Sequence, residues 1–379
     1  MNFPPATFVN TPDAWETCLN RLHAAKRFAL DLEANSLYAY REQICLMQIS
    51  LPDQDYVIDP LADLDFAGMG HLIEDPHIEK VLHSGEYDLI LMKKQFDWQM
   101  SNLFDTMWAA RILGYAHMGL ANILKDRYGV ELDKRHQKAN WCRRPLSASQ
   151  LEYAQSDTHF LLTLRDDFAT ALQAAGHWEE AMELFQEQCQ VHPAEQTFDP
   201  DGFWSVNGVR DLSRQQQAIL RALYIFREKE AERQDRPPFK IFGGKTMLQL
   251  AREAPEHLDD LRSIHGMTTG QVKRYGQKIL QAIRQGRQDG PPRRPARGPR
   301  LPEEVVNRYD LLHEWRRRRA VARGVESDVI LSRQSLWDLA HANPRDLSEL
   351  ASVSSLGPWR QQQYGQEIIR LLQKKQQRR

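Results

Sequence analysis

Two stretches of this chain repeat one another at a constant offset of 89 residues, and no other feature of the sequence restricts its fold so tightly. Tyr275-Gly276-Gln277-Lys278-Ile279-Leu280 returns as Tyr364-Gly365-Gln366-Glu367-Ile368-Ile369. Leu250-Ala251 returns as Leu339-Ala340, Leu258 and Leu261 as Leu347 and Leu350, and Phe226-Arg227 as Trp315-Arg316. Matches without a gap, with apolar residues at three-to-four spacing, predict a duplicated all-helical module of roughly 70 to 80 residues. The copies are expected over 208–289 and 301–379. Between them, residues 290–300 hold four prolines, two glycines and four arginines, which cannot build a core and read as a semi-rigid basic linker.

The first 200 residues follow a different rule. Short apolar runs at 27–32, 44–50, 56–59 and 80–83 alternate with helical periodicity at 63–74, 87–96, 105–113, 120–128 and 147–174, the pattern of an α/β domain. The Ser147-Ala148-Ser149-Gln150 start of the last helix suits an N-cap. A net charge of −1 conceals an asymmetry. Residues 1–200 carry 16 Lys+Arg against 30 Asp+Glu, a balance of −14, whereas 201–379 carry 34 against 21, a balance of +13. An acidic half that concentrates cations and a basic half that attracts a polyanion is the expected division of labour; two solvated surfaces of opposite sign is the plainer one. The four cysteines (Cys18, Cys45, Cys142, Cys189) form no Cys-x-x-Cys pair and read as reduced packing residues, neither a zinc site nor a disulfide framework. No run of about 18 apolar residues occurs and Met1–Asn10 lacks the regions of a secretion signal, so a cytoplasmic protein without membrane contact is expected.

Five residues carry the chemistry. Asp31 and Glu33 close the first apolar strand, and alternation sends both to one face. Two carboxylates so close repel unless a cation neutralises them, and hard oxygen ligands suit Mg²⁺ or Mn²⁺; an exposed acidic strand end is the competing reading. Asp88 falls in the first turn of the helix after His83-Ser84-Gly85, where an acid also simply complements the helix dipole. Gly85 would permit a sharp turn that brings Asp88 back to the strand ends. Tyr153 and Asp157, four apart, share a helix face, which a core tyrosine beside a surface acid would also explain. A phenol titrates near pH 10, roughly three units too high for a general base at neutral pH, so Tyr153 is better suited to orienting a water. Together the four carboxylates can hold two divalent cations about 3.5 to 4 Å apart, as in phosphodiester cleavage.

In this order the five residues resemble the motifs of the DEDD superfamily of 3′-to-5′ exonucleases, the subgroup with tyrosine in the last motif, and most closely ribonuclease D with its exosome-associated relatives. Gln43-Ile44-Cys45-Leu46-Met47-Gln48-Ile49, Phe104-Asp105-Thr106 and Trp141-Cys142-Arg143-Arg144-Pro145-Leu146 are similar to further segments of that family, and the repeats resemble two HRDC domains. The resemblance implies a ribonuclease H-like mixed sheet of five or six strands flanked by helices over 1–200, followed by two all-α HRDC domains. It implies that Asp31, Glu33, Asp88 and Asp157 ligate two divalent metals (Mg²⁺ or Mn²⁺) and that Tyr153 positions the attacking water. Asp105 is expected to be structural, as an N-cap ordering the floor of the site. His83 is expected either to touch the terminal nucleotide or to pack at its strand end. Trp141, Arg143 and Arg144, with Lys134, Arg135 and Lys138, read as a phosphate-tracking rim with a stacking aromatic, or as a solvated loop. Lys240 to Lys245 and Arg316 to Arg319 are the module residues best suited to RNA backbone contact. The implied function is an exoribonuclease releasing nucleoside 5′-monophosphates from RNA 3′ ends, precursor tRNA among them. A DNA exonuclease and a non-catalytic RNA-binding scaffold are the rivals. A nucleotide-driven role is disfavoured, because Gly243-Gly244-Lys245-Thr246 lacks the spacing of a phosphate-binding loop.

Overall fold

A computed structural model describes residues 4–193, 197–295 and 300–373. Its contacts divide the chain into two units, one comprising the described residues of 1–33, 44–193 and 299–379, the other those of 34–43 and 194–298.

The first unit is built on a six-stranded mixed sheet in the order β1-β4-β3-β2-β5-β6. Its strands are β1 (Thr7–Val9), β2 (Arg27–Ala34), β3 (Ile44–Leu51), β4 (Gln54–Ile58), β5 (Glu79–Leu82) and β6 (Leu103–Asp105). β3 and β4 form an antiparallel hairpin in which Leu51 faces Gln54, while β1 runs parallel to β4, β5 to β2 and β6 to β5. All eight residues of β3 are buried, which is why it reads as a mostly apolar run, broken only by the buried Gln48 and Ser50, rather than an alternating one. The helices are α1 (Pro12–His23), α2 (Ala67–Glu74), α3 (Glu86–Phe96), α4 (Thr106–Ile112), α5 (Leu120–Tyr128), α6 (Ala148–His159), α7 (Leu161–Ala174) and α8 (Trp178–Gln188). Ser147 caps α6 through a reciprocal capping box with Gln150, as its sequence requires. The single helix expected over 147–174 is two, interrupted at Phe160 (φ −91°, ψ −9°). α6 lies on β3 and β4, α7 on β5 and α8 on β6.

The repeats fold as helical modules whose elements recur at the offset seen in the sequence. In the second unit these are α9 (Arg214–Arg233), α10 (Pro238–Ile241), α11 (Gly244–Glu253) and α12 (Thr269–Asp289). In the first unit they are α13 (Glu303–Arg323), α14 (Ser327–Ile330), α15 (Arg333–Ala342), α16 (Leu347–Ala351) and α17 (Pro358–Gln373). The shared Tyr-Gly-Gln triplet has a steric cause. A Cβ on Gly276 would lie 2.6 Å from Leu258 Cδ2, and one on Gly365 would lie 2.7 Å from Leu350 Cδ2, the leucines being those that repeat. Of the expected linker, residues 296–299 lie outside the described residues.

The second module packs on helices α4 and α8 through ion pairs. Arg323 donates to Glu180 Oε1 (2.6 Å) and to the Ile112 carbonyl (3.2 Å), and Arg360 to Glu183 (3.0 Å) and Glu187 (2.9 Å). Arg111 reaches back to Asp328 (2.6 Å). In the other unit the 34–43 loop sits on the first module, with Tyr40 Oη donating to Glu228 (2.7 Å) and Lys240 Nζ 4.1 Å from the Tyr38 ring centre. Among the described residues no helix is long and apolar enough to cross a membrane.

Candidate active site

The central strands and α6 converge on carboxylates. Asp31 and Glu33 project from the end of β2, and Asp157 from α6 four residues beyond Tyr153, so that one ligand atom of each lies within 4.8 Å of the others. Asp88, buried in the first turn of α3, stands outside that trio but close enough for its charge to act on Glu33 and to feel Asp31. The turn delivering it differs from expectation. Ser84, not Gly85, takes the left-handed conformation (φ 63°), while Gly85 has φ −73° and is required because a Cβ there would meet Leu82 Cδ2 at 2.6 Å. A serine in that region costs about 1 kcal/mol or more and persists only where its surroundings hold it. Asp105 does so. Its fully buried carboxylate accepts from the amides of Ser84 (3.1 Å) and Gly85 (2.9 Å), and from Met107 (2.9 Å) and Trp108 (3.1 Å) at the start of α4. The residue expected to order the floor of the site thus ties two turns together.

Electrostatics separates this cluster from ordinary surface acids. Burial lifts the Asp31 carboxyl to about 7. Burial, then the neighbouring Asp31, Asp157 and Asp88 charges, lifts Glu33 to about 10. Asp88 and Asp157 rise well above the usual carboxylate range, burial first and Asp31 next. Among the described residues none of the four is ion-paired to a lysine or arginine. Like charges gathered in a half-buried cluster, of which Asp88 alone is buried, without a cation from the described residues fit divalent ions bound through hard oxygen donors. Tyr153 lies one helical turn before Asp157 and near enough for the two to act on one another, and burial, then Asp157, Glu33 and Asp31, hold its phenol above the ordinary tyrosine value.

The expected substrate contacts divide. His83 Nδ1 lies 2.9 Å from Thr106 Oγ1, the strand-end packing alternative, and Arg143 is exposed. Trp141 is 1% exposed and shows no face to a base. Arg144 is bound to Asp59 through Nε and Nη2 (both 2.6 Å), so neither residue forms the open rim read from the sequence. Arg135 is paired with Asp133. Of the Arg316–Arg319 run only Arg316 is buried, donating to the Leu331 carbonyl (2.9 Å), while Arg317 pairs with Glu314 (2.8 Å) and Arg319 with Glu367 on the exposed face. Cys45 and Cys142 are joined by a disulfide, contrary to the reading of four reduced cysteines, while Cys18 and Cys189 are free and buried. No spacing signal marks a pair 97 residues apart. Asp59 was not singled out by the sequence; a carboxylate closing an apolar strand was the available sign, but its partner lies 85 residues away.

Comparison with known proteins agrees with this geometry. The model of a 3′-5′ exonuclease domain matches residues 6–173, and that of the HRDC domain matches 216–283 and again 306–372. A protein named Ribonuclease D from Acidiphilium cryptum is 27% identical over 98% of this chain and 94% of its own length. Another of that name from Gluconacetobacter diazotrophicus is 29% identical over 74% of this chain and 72% of its own. The chain belongs to the ribonuclease D family. It is a hydrolytic 3′-5′ exoribonuclease of a family that depends on divalent metal ions. The fold is shared with the crystal structure of Escherichia coli RNase D, described as an exoribonuclease involved in structured RNA processing (TM-score 0.66, 22% identity, 98% of this chain and 99% of that one).

Proposed function

We propose that this ribonuclease D-family enzyme removes nucleoside 5′-monophosphates one at a time from RNA 3′ ends, precursor tRNA among them, using two divalent cations held by Asp31, Glu33, Asp88 and Asp157. The observation that carries the reading is the carboxylate trio within 4.8 Å, without a cation from the described residues, with Tyr153 one helical turn before its member Asp157. When bound, the cations would lower the pKa of an attacking water and offset charge on the phosphodiester oxygens. Tyr153 stays protonated at neutral pH, so its role is to hold a water in line by hydrogen bonding rather than to remove its proton. Asp105 fixes the Ser84-Gly85 turn and hence the approach of Asp88. Lys245, exposed at the start of α11, offers backbone contact in the first module. RNA 3′ ends are abundant in the cytoplasm, where we place the protein.

The test is digestion of 5′-labelled single-stranded RNA, a precursor tRNA and matched DNA with Mn²⁺, Mg²⁺ or EDTA, with products resolved by length and by nucleotide chromatography. A 3′-end ladder on RNA with mononucleotide release, abolished by EDTA, is the expected result. Equal digestion of DNA would remove the RNA assignment, and an absence of cleavage under either metal would remove the catalytic one.

A further inference from the structure

The tyrosine of the site leans on a wall whose construction suggests a second layer of function. Trp141 lies beside Tyr153 with ring centres 5.7 Å apart and planes inclined by 33°, and His136 presents an edge to the same phenol ring at 5.9 Å. The Trp141 indole N–H has no acceptor among the described residues, so this ring is placed for its shape and not for a hydrogen bond. A wall of that kind is only as accurate as whatever holds it. Arg144 holds it from three residues away. Its Nη1 donates to the Trp141 carbonyl (2.6 Å), its Nη2 to the Cys45 carbonyl on β3 (2.7 Å), and Nε and Nη2 grip both oxygens of Asp59, just beyond β4. The fork geometry of a guanidinium makes this bidentate grip specific. With side chains 26% and 10% exposed, Arg144 and Asp59 are shielded enough for their pair to fix a position. The Cys45–Cys142 bond fastens the same turn to the same strand.

We propose that Arg144 and Asp59 are positioning residues for catalysis: their ion pair sets Trp141, and Trp141 sets the Tyr153 hydroxyl against Asp157. This rests on Tyr153 orienting the attacking water. It takes Arg144 out of RNA binding, since every donor it could offer a phosphate is engaged within the fold.

Asp59 makes the inference testable, because a carboxylate cannot attract RNA. The experiment measures kcat and KM on 5′-labelled single-stranded RNA with Mn²⁺, in reductant so that the ion pair alone fastens the turn, for wild type and for Asp59→Asn, Arg144→Lys, Trp141→Ala and Trp141→Phe. A displacement of the order of 1 Å at a reacting group costs about a hundredfold. Asp59→Asn, Arg144→Lys and Trp141→Ala should therefore lower kcat by about 10- to 100-fold with KM within about twofold of wild type, and Trp141→Phe, which keeps an aromatic wall, should restore most of it. If Arg144→Lys raises KM while Asp59→Asn leaves both constants unchanged, Arg144 binds RNA and the inference fails. A wild-type kcat in Asp59→Asn overturns it as well. Should Asp59→Asn not fold, the Trp141 pair decides: equal loss in Ala and Phe contradicts the wall. An inactive wild-type enzyme would instead contradict the proposed function, which keeps the two failures apart.

Discussion

Two groups of shielded acids in the first unit are treated in opposite ways. On α8, Glu180 is fully buried and Glu183 nearly so, yet each faces its own arginine from the second module, Arg323 and Arg360, the latter itself 2% exposed. At the end of β2 and on α6, Asp31, Glu33 and Asp157 have among the described residues only one another, Asp88 and Tyr153 as charged or titratable neighbours. A carboxylate withdrawn from water must be compensated or protonated. Where the chain supplies the compensating charge, the acid is part of the architecture; where it withholds that charge, the acid is set aside for a cation from solution. The two helical modules differ more mildly: in the second, Arg323 and Arg360 dock on α8 and Arg317 pairs with Glu314, while Lys245 of the first is exposed.

The contrast can be broken at either group. Asp157→Asn should lower exonuclease activity at least a thousandfold, about 4 kcal/mol in the barrier, while the metal-free protein melts no lower than wild type, because one like charge has left the cluster. Arg323→Ala should do the reverse. Stranding Glu180 in the interface should cost about 3 to 5 kcal/mol of stability by chemical denaturation, with activity per folded molecule retained. A stability loss in Asp157→Asn as large as in Arg323→Ala would erase the distinction.

pH gives a smaller effect of definite sign. In the metal-free fold, Asp31 holds its proton up to about 7 and Glu33 up to about 10, above the ordinary 3.8 and 4.5 at which the unfolded chain releases them. The folded state therefore binds more protons through that window, and these groups make stability fall as pH rises from roughly 4 toward 7 and then 10. Cations require the deprotonated acids. The rise in melting temperature on adding Mn²⁺ should be larger at pH 8 than at pH 5, and an equal rise at both would count against the carboxylates as ligands. Smallest is the difference between modules. Lys245→Ala should weaken RNA binding uniformly and reduce the log–log salt slope by about 1, while Arg317→Ala, whose guanidinium already faces Glu314, should leave both unchanged.

What the sequence revealed follows from how local each signal is. Asp31 and Glu33 at a strand end, Asp157 one turn after Tyr153, and Asp105 at a helix start are all read from neighbours within four residues. The repeat was legible because offset 89 carries Leu258, Leu261 and Gly276 together onto Leu347, Leu350 and Gly365, a packing contact preserved as a unit. β1 and β6, three residues each, are too short for periodicity to register, and Phe160 interrupts α6 and α7 without a glycine or proline to announce it. The grip of Arg144 on Asp59 and the Cys45–Cys142 bond join residues 85 and 97 apart, and only the folded chain brings them together. The pairing of Arg319 with Glu367 shows the same limit, since a basic run looks alike whether solvent or a carboxylate faces it.

Calorimetric titration of the metal-free protein with Mn²⁺ at pH 7, in two buffers of different ionisation enthalpy, asks most directly whether the unpartnered carboxylates exist to hold cations. The account predicts two bound ions per chain with release of protons, since burial and the neighbouring acids keep Glu33 protonated at that pH, and it predicts loss of that binding in Asp157→Asn. Absence of binding to the wild-type protein, or unchanged stoichiometry and proton release in Asp157→Asn, would contradict it.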